Sequence, residues 1–115
     1  LINTLTGMRI DIRTRRPIIR NNTGGVSGPA VLPVAIRMVY QASRRVSIPI
    51  VGLGGISSWQ DAVEMMLAGA SAIQVGTAIF TDPYAPVKII DGLNRYLDEQ
   101  GIAKASDLCG KAEMW

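Results

Sequence analysis

The feature that most constrains the fold is Val51-Gly52-Leu53-Gly54-Gly55-Ile56-Ser57-Ser58, an apolar stretch that stops at paired glycines and runs straight into a helix start. The run from Ile48 to Leu53 has no polar position, the pattern of a parallel strand covered by helices on both faces. One strand later the arrangement repeats: Ala72-Ile73-Gln74-Val75 ends at Gly76-Thr77. Glycine has no Cβ to hold a ligand away, and successive amides at a loop and helix start present N–H donors to an anion. Tight turning alone explains a single glycine pair. Two such turns across one αβ unit point to a phosphorylated ligand without naming it.

The segments around these turns are helical. Ala30 to Arg45 places Leu32, Ile36, Val39, Tyr40 and Ser43 on one face and Arg37, Gln41 and Arg44 on the other, with Pro33 tolerated in the first turn. Ser57 and Ser58 both offer N-caps, and Ser57 to Gln60 has the spacing of a capping box. Trp59, Val63, Met66 and Leu67 form the expected buried face, Met65 and Met66 are core filling, and Gly69 is a natural stop. Asp82-Pro83 reads as an N-cap and first-turn proline, opening a helix with a Pro86, Ile90, Leu93 and Leu97 stripe that ends at Gly101. Ser106-Asp107-Leu108 opens a last short helix.

Before this region, Leu1 to Leu5 reads as the end of a buried strand with Asn3 and Thr4 at its mouth. Arg9 to Arg13 alternates with period two, Pro17 to Arg20 is its return partner, and Asn21 to Pro29 is a turn-rich loop. Alternating strands and helices demand right-handed parallel crossovers. The expectation is an α/β chain forming the C-terminal portion of a (β/α)8 TIM barrel, about strands 6 to 8. Barrels commonly build a phosphate site from the loops after their last two strands. A dinucleotide fold would place its glycine fingerprint near the start of the sheet. Residues 1–115 are then one piece of a single domain whose N-terminal part is missing, and about three strands cannot close a barrel. Alone, such a chain is expected to be unstable, aggregated or paired.

Composition removes several functions. The sequence holds no histidine, which excludes histidine triads and histidine metal sites, and no metal site is expected. Its single cysteine, Cys109, cannot form an internal disulfide and suits the cytoplasm. No apolar run approaches the ~20 residues of a membrane helix. Five arginines crowd Arg9 to Arg20, a solvated edge or a contact for an acidic partner; without aromatic interleaving they do not point to nucleic acid.

Asn3-Thr4, Thr23-Gly24-Gly25-Val26-Ser27-Gly28-Pro29-Ala30, Pro49-Ile50-Val51-Gly52-Leu53-Gly54-Gly55-Ile56 and Val75-Gly76-Thr77-Ala78 together resemble the C-terminal part of the dihydroorotate dehydrogenases. Within that family the resemblance is strongest to the catalytic subunit of the class 1B, NAD-linked form, and it runs over essentially the whole chain. It implies FMN-dependent oxidation of dihydroorotate to orotate in pyrimidine (UMP) biosynthesis. It also implies that Gly28, Gly54, Gly55, Gly76 and Thr77 hold FMN, the last four around its phosphate, and that Ile2 lines the flavin. Asn3 and Thr4 match the pair that binds the pyrimidine.

The implied partners are a second catalytic chain and an electron-transfer subunit carrying FAD and a 2Fe-2S cluster, together a heterotetramer. The family's general base, a cysteine, and a lysine beside the flavin both belong to segments upstream of these residues. Cys109 is therefore read as structural; Gln74, polar in an apolar strand, either points into the barrel near the flavin or satisfies a neighbour, the second being the favoured reading. Another phosphate-binding barrel, a lyase or isomerase, and a non-catalytic fragment are the alternatives.

Overall fold

The computed structural model describes residues 2–115. It is an α/β structure with six short strands, β1 (Leu5–Gly7), β2 (Ile10–Asp11), β3 (Arg16–Pro17), β4 (Gly24–Val26), β5 (Val51–Leu53) and β6 (Ala72–Gln74). Four helices accompany them, α1 (Leu32–Ser43), α2 (Trp59–Leu67), α3 (Ala78–Thr81) and α4 (Ala85–Gln100), with single 3₁₀ turns at Pro29–Val31 and Ala105–Leu108. β5 and β6 pair in parallel with Leu53 opposite Gln74, so the two glycine turns leave the sheet at the same level.

The core lies between this parallel pair and its helices. Met65 and Val39 are fully buried and pack with Ala35, Ile50, Ile56 and Ile89; burying side chains of this size contributes about 2 kcal/mol each. Gly52 belongs to this packing, because a Cβ there would strike Met65 and Ala70. Ser43 links α1 to α2 by donating to the Ala68 carbonyl (3.1 Å). A second cluster joins Val63, Met66, Leu97 and Leu108 under Trp59 and Tyr96.

Several expectations need correction. The strand expected to end at Leu5 is not there: residues 2–4 have no regular structure, and Leu1 lies outside the described residues. Leu5–Gly7 instead pairs antiparallel with Gly24–Val26, so part of the expected loop at Asn21 to Pro29 is strand β4. The expected hairpin between Arg9 to Arg13 and Pro17 to Arg20 forms in shortened form, with Ile10 opposite Pro17.

The β5 strand is covered on one face only. Ile50 and Gly52 are buried, while Val51, on the opposite face, is exposed because no further strand or layer covers that side among the described residues; Ile48, expected in the strand, lies in a bend before it and is exposed.

The α2 capping box forms between Ser58 and Asp61, one residue later than the spacing of Ser57 and Gln60 suggested. On the α4 stripe, Ile89 is buried and Ile90 is 58% exposed, because Gly92 rather than a large side chain faces the core; a Cβ there would collide with the Trp59 indole. Asp82 does not cap α4. Its carboxylate accepts from the Tyr84 amide (3.0 Å) and pairs with Lys88 (2.7 Å), while Pro86 occupies the first turn. Gly101 ends α4 at φ 66°, as the sequence indicated.

Beyond α4 the chain folds back on α2. The amides of Gly110 and Ala112 donate to the carbonyls of Met66 and Leu67, satisfying groups that a helix end leaves open. Cys109 is half-buried here, its Sγ 3.4 Å from the Gly69 carbonyl oxygen and 3.9 Å from Ser71 Oγ. No helix among the described residues is long and apolar enough to cross a membrane, and no group of His, Cys, Asp or Glu among them could hold a metal.

Candidate functional site

A cavity of about 570 Å³ opens at the ends of β5 and β6, within the size range of small-molecule and cofactor sites. Ile2, Asn3, Thr4, Gly28, Gly54, Gly55, Gly76 and Thr77, each singled out in the sequence, all line it. They come from four separate stretches of chain. Cys109 does not line it; it sits near the other ends of the two strands, beside Gly69 and Ser71.

The two glycine turns, at the ends of neighbouring paired strands, form adjoining parts of the wall by different means. Gly54 and Gly55 adopt φ 120° and 77°, the left-handed region that side chains avoid. A Cβ on Gly55 would also lie within 2.9 Å of the Leu32 nitrogen and the Gly28 carbonyl oxygen, so the turn after β5 presses on the turn that opens α1. Gly76 is unlike it: among the described residues a Cβ there would meet nothing within 4 Å beyond its own chain neighbours. Thr77 follows as the residue before the four-residue helix α3, at the cap position its type allows but without a side-chain capping bond among the described residues.

The N-terminus of α2, a potential anion site in the sequence, is already closed by the protein itself. Asp61 Oδ2 accepts from the amides of Ser57 and Ser58 (2.9 Å each) and from Ser57 Oγ (3.0 Å). Burial is the largest single influence on this carboxyl and pushes it up, but the hydrogen bonds from Ser57 and Ser58 together outweigh it and hold Asp61 below its usual range. A second anion at that point would meet a carboxylate. The amides of Gly55, Gly76 and Thr77, by contrast, donate to no protein acceptor among the described residues.

None of the cavity's lining residues is ionisable. The polar groups the lining offers to a ligand are backbone groups, hydroxyls and the side-chain amides of Asn3 and Gln74. On the third side, Asn3 Oδ1 accepts from the Thr4 amide (2.8 Å), which holds the side chain in a turn and leaves its NH₂ group as a donor. The Thr4 side chain rests on Gly25, where a Cβ would displace it.

The structure adds residues that sequence reasoning did not select, among them Ser27 and Thr81, and it revises Gln74. The Gln74 side chain satisfies no neighbour; it lines the cavity. Its signal was present as the one amide in an otherwise apolar strand. Ser27 carried only its place beside Gly28, and Thr81 carried none.

A family model described as dihydroorotate dehydrogenase matches residues 1–97. The chain belongs to the dihydroorotate dehydrogenase family. It is 58% identical over 113 residues to a dihydroorotate dehydrogenase B (NAD(+)) catalytic subunit from Pelobacter propionicus, covering 98% of this chain and 37% of that protein. The protein of the same name from Halalkalibacterium halodurans is 59% identical over 110 residues, covering 96% of this chain and 36% of the relative. The chain thus spans little more than a third of the length of these curated relatives. Among solved structures, a DHODH from Eimeria tenella in complex with ferulenol superposes with a TM-score of 0.74 at 27% identity, over 91% of this chain and 29% of that one. This family likeness agrees with the α/β architecture.

Proposed function

We propose that this chain supplies the FMN-phosphate end and part of the pyrimidine site of a dihydroorotate dehydrogenase, which oxidises dihydroorotate to orotate in pyrimidine biosynthesis. The observation that carries the reading is the convergence of eight residues from four separate stretches on one cavity. The same reading makes β5 and β6 the last two strands of a (β/α)8 barrel, with residues 1–115 its closing part.

The cavity passes a physical test for such a ligand. It is large enough, its wall is open at Gly76, and its unoccupied backbone donors come from two turns. Several N–H groups can bind a phosphate dianion without a lysine. Gly54, Gly55, Gly76 and Thr77 are the residues that hold the phosphate, Gly28 and Ile2 border the remainder of the cofactor, and Asn3 and Thr4 bind the pyrimidine. FMN, when bound, supplies the hydride acceptor.

The chain's own residues bind and orient. The Asn3 NH₂ donates to a carbonyl or carboxylate oxygen of the substrate, and the Thr4 hydroxyl can donate or accept. The apolar walls at Val26, Val31, Leu53 and Val75 exclude water from the ring. The proton leaving dihydroorotate goes to a base, a cysteine in this reading, on a segment outside these residues; Cys109 is off the cavity.

The names of the relatives include the words catalytic subunit, which supports a second kind of subunit. We place the chain in a cytoplasmic heterotetramer, two catalytic chains with two electron-transfer subunits that carry FAD and a 2Fe-2S cluster and pass electrons to NAD. The test is the visible spectrum of the protein at its cellular length after FMN is added and the excess removed. Retained, shifted flavin bands are expected. Loss of all flavin on desalting overturns the reading.

A further inference from the structure

We infer that Gln74 is a ring-contacting residue of the cavity, its side-chain amide hydrogen-bonding the N–H and carbonyl edge of the flavin rather than supporting the fold; this rests on the flavin reading above. Four observations carry it. Gln74 lies at the end of β6, and side chains alternate between the faces of a strand. Its neighbour Ile73 packs against both core clusters on the helix side, so Gln74 faces the other way, into the cavity. Its side-chain amide makes no hydrogen bond among the described residues, although every other residue of β6 is apolar. It also sits opposite Leu53, another wall residue, so it is framed by apolar surface where a polar group serves no packing purpose.

Position fixes which part of the ligand it meets. Gln74 precedes Gly76 by two residues, about 7 Å along a strand, a distance comparable with the polyol tether between the phosphate and the ring of FMN. A phosphate held at Gly76 and Thr77 therefore sets the ring at the depth of Gln74. A carboxamide presents two donors and an acceptor in one plane. That matches the alternating N–H and carbonyl groups on the pyrimidine edge of the ring, and it discriminates against ligands whose edge lacks a donor.

The test uses the protein at its cellular length, with FMN and riboflavin as probes and Gln74→Leu as the variant. Because the contact is to the ring, affinity for both probes is expected to fall by the same factor, about tenfold, with a change in the position or fine structure of the visible bands. Unchanged affinity and spectrum in a variant whose wild type retains FMN overturn this inference alone. Weakened FMN with unweakened riboflavin also overturns it, because the effect then belongs to the phosphate. A wild type that retains neither probe overturns the flavin reading and this inference with it. Should Gln74→Leu fail to fold, Gln74→Glu keeps the shape: its carboxylate beside the ring is expected to move the reduction potential of the bound flavin to more negative values, and an unmoved potential contradicts the contact.

Discussion

The two glycine turns that close the cavity carry almost the same sequence signature, glycine at the end of a short apolar strand, yet they do different physical work. After β5, Gly54 and Gly55 are held in left-handed conformations and Gly55 is wedged against the turn leading into α1. After β6, Gly76 has no left-handed torsion and nothing beside it. The first turn needs glycine whether or not anything binds. The second is free of that need, so its missing Cβ matters only to what occupies the space. The two adjacent turns of one cavity thus place different demands on glycine, one set by the fold and one left free by it.

That separation is open to direct attack. Gly55→Ala combines a torsion that side chains avoid with a collision against backbone, and it is expected to cost about 3 kcal/mol of stability, read from the urea midpoint. A loss below about 0.5 kcal/mol would mean that the turn after β5 relaxes freely and that the contrast with Gly76 is false. Gly76→Ala should leave stability unchanged or raised by up to about 1 kcal/mol while weakening FMN at least about tenfold. Destabilisation by this variant would show that the second turn is structural too.

A smaller effect concerns the neighbouring helix. Asp61→Asn should cost about 1 kcal/mol by weakening the α2 cap. Hydrogen bonds from Ser57 and Ser58 hold the native Asp61 carboxyl below its usual value. Its contribution is therefore complete above the ordinary aspartate value of about 3.9 and drains away as pH falls through the lower native value. Asp11 and Asp82 are depressed as well, by the Arg13 amide and the Lys88 ammonium foremost, so the diagnostic is the difference between wild type and variant. The stability gap between them should narrow on acidification from about pH 5 to about pH 2. A gap independent of pH would remove the carboxylate from the account of the cap.

Much of this organisation was legible in the sequence, and for stated reasons. Largely apolar runs stopped by glycine mark β5 and β6 because such strands lean on the helices beside them, and Gly101 ends α4 because the left-handed cap favours glycine. The candidate residues could be gathered as a set only through the family resemblance; that they line one cavity is something only the fold displays.

What the sequence hid depends on contacts between distant residues. The β1 and β4 pairing joins Leu5 to Val26 through a glycine-rich strand with no periodicity. Ser57 and Ser58 had equal claims to the cap. Asp61 bonds to both, and it is Ser58, at φ −135° and ψ 166°, whose Oγ accepts from the Asp61 amide and so caps the helix. The stripe on α4 was misread at Ile90, while Leu93 and Leu97 do pack; Gly92, which has no side chain to announce it, is the residue under Trp59. Gln74 looked like a polar residue in need of a neighbour until the strand's two faces were known.

The most direct test of the central claim is the preference for FMN over riboflavin, measured as the ratio of their dissociation constants in wild type and in Gly76→Ala at cellular length. A clear preference for FMN is expected in wild type, since only FMN carries the phosphate, and its collapse toward equal affinity in Gly76→Ala with riboflavin binding little changed. A preference that survives the substitution, or a wild type that binds both alike, would contradict a phosphate held between these two turns.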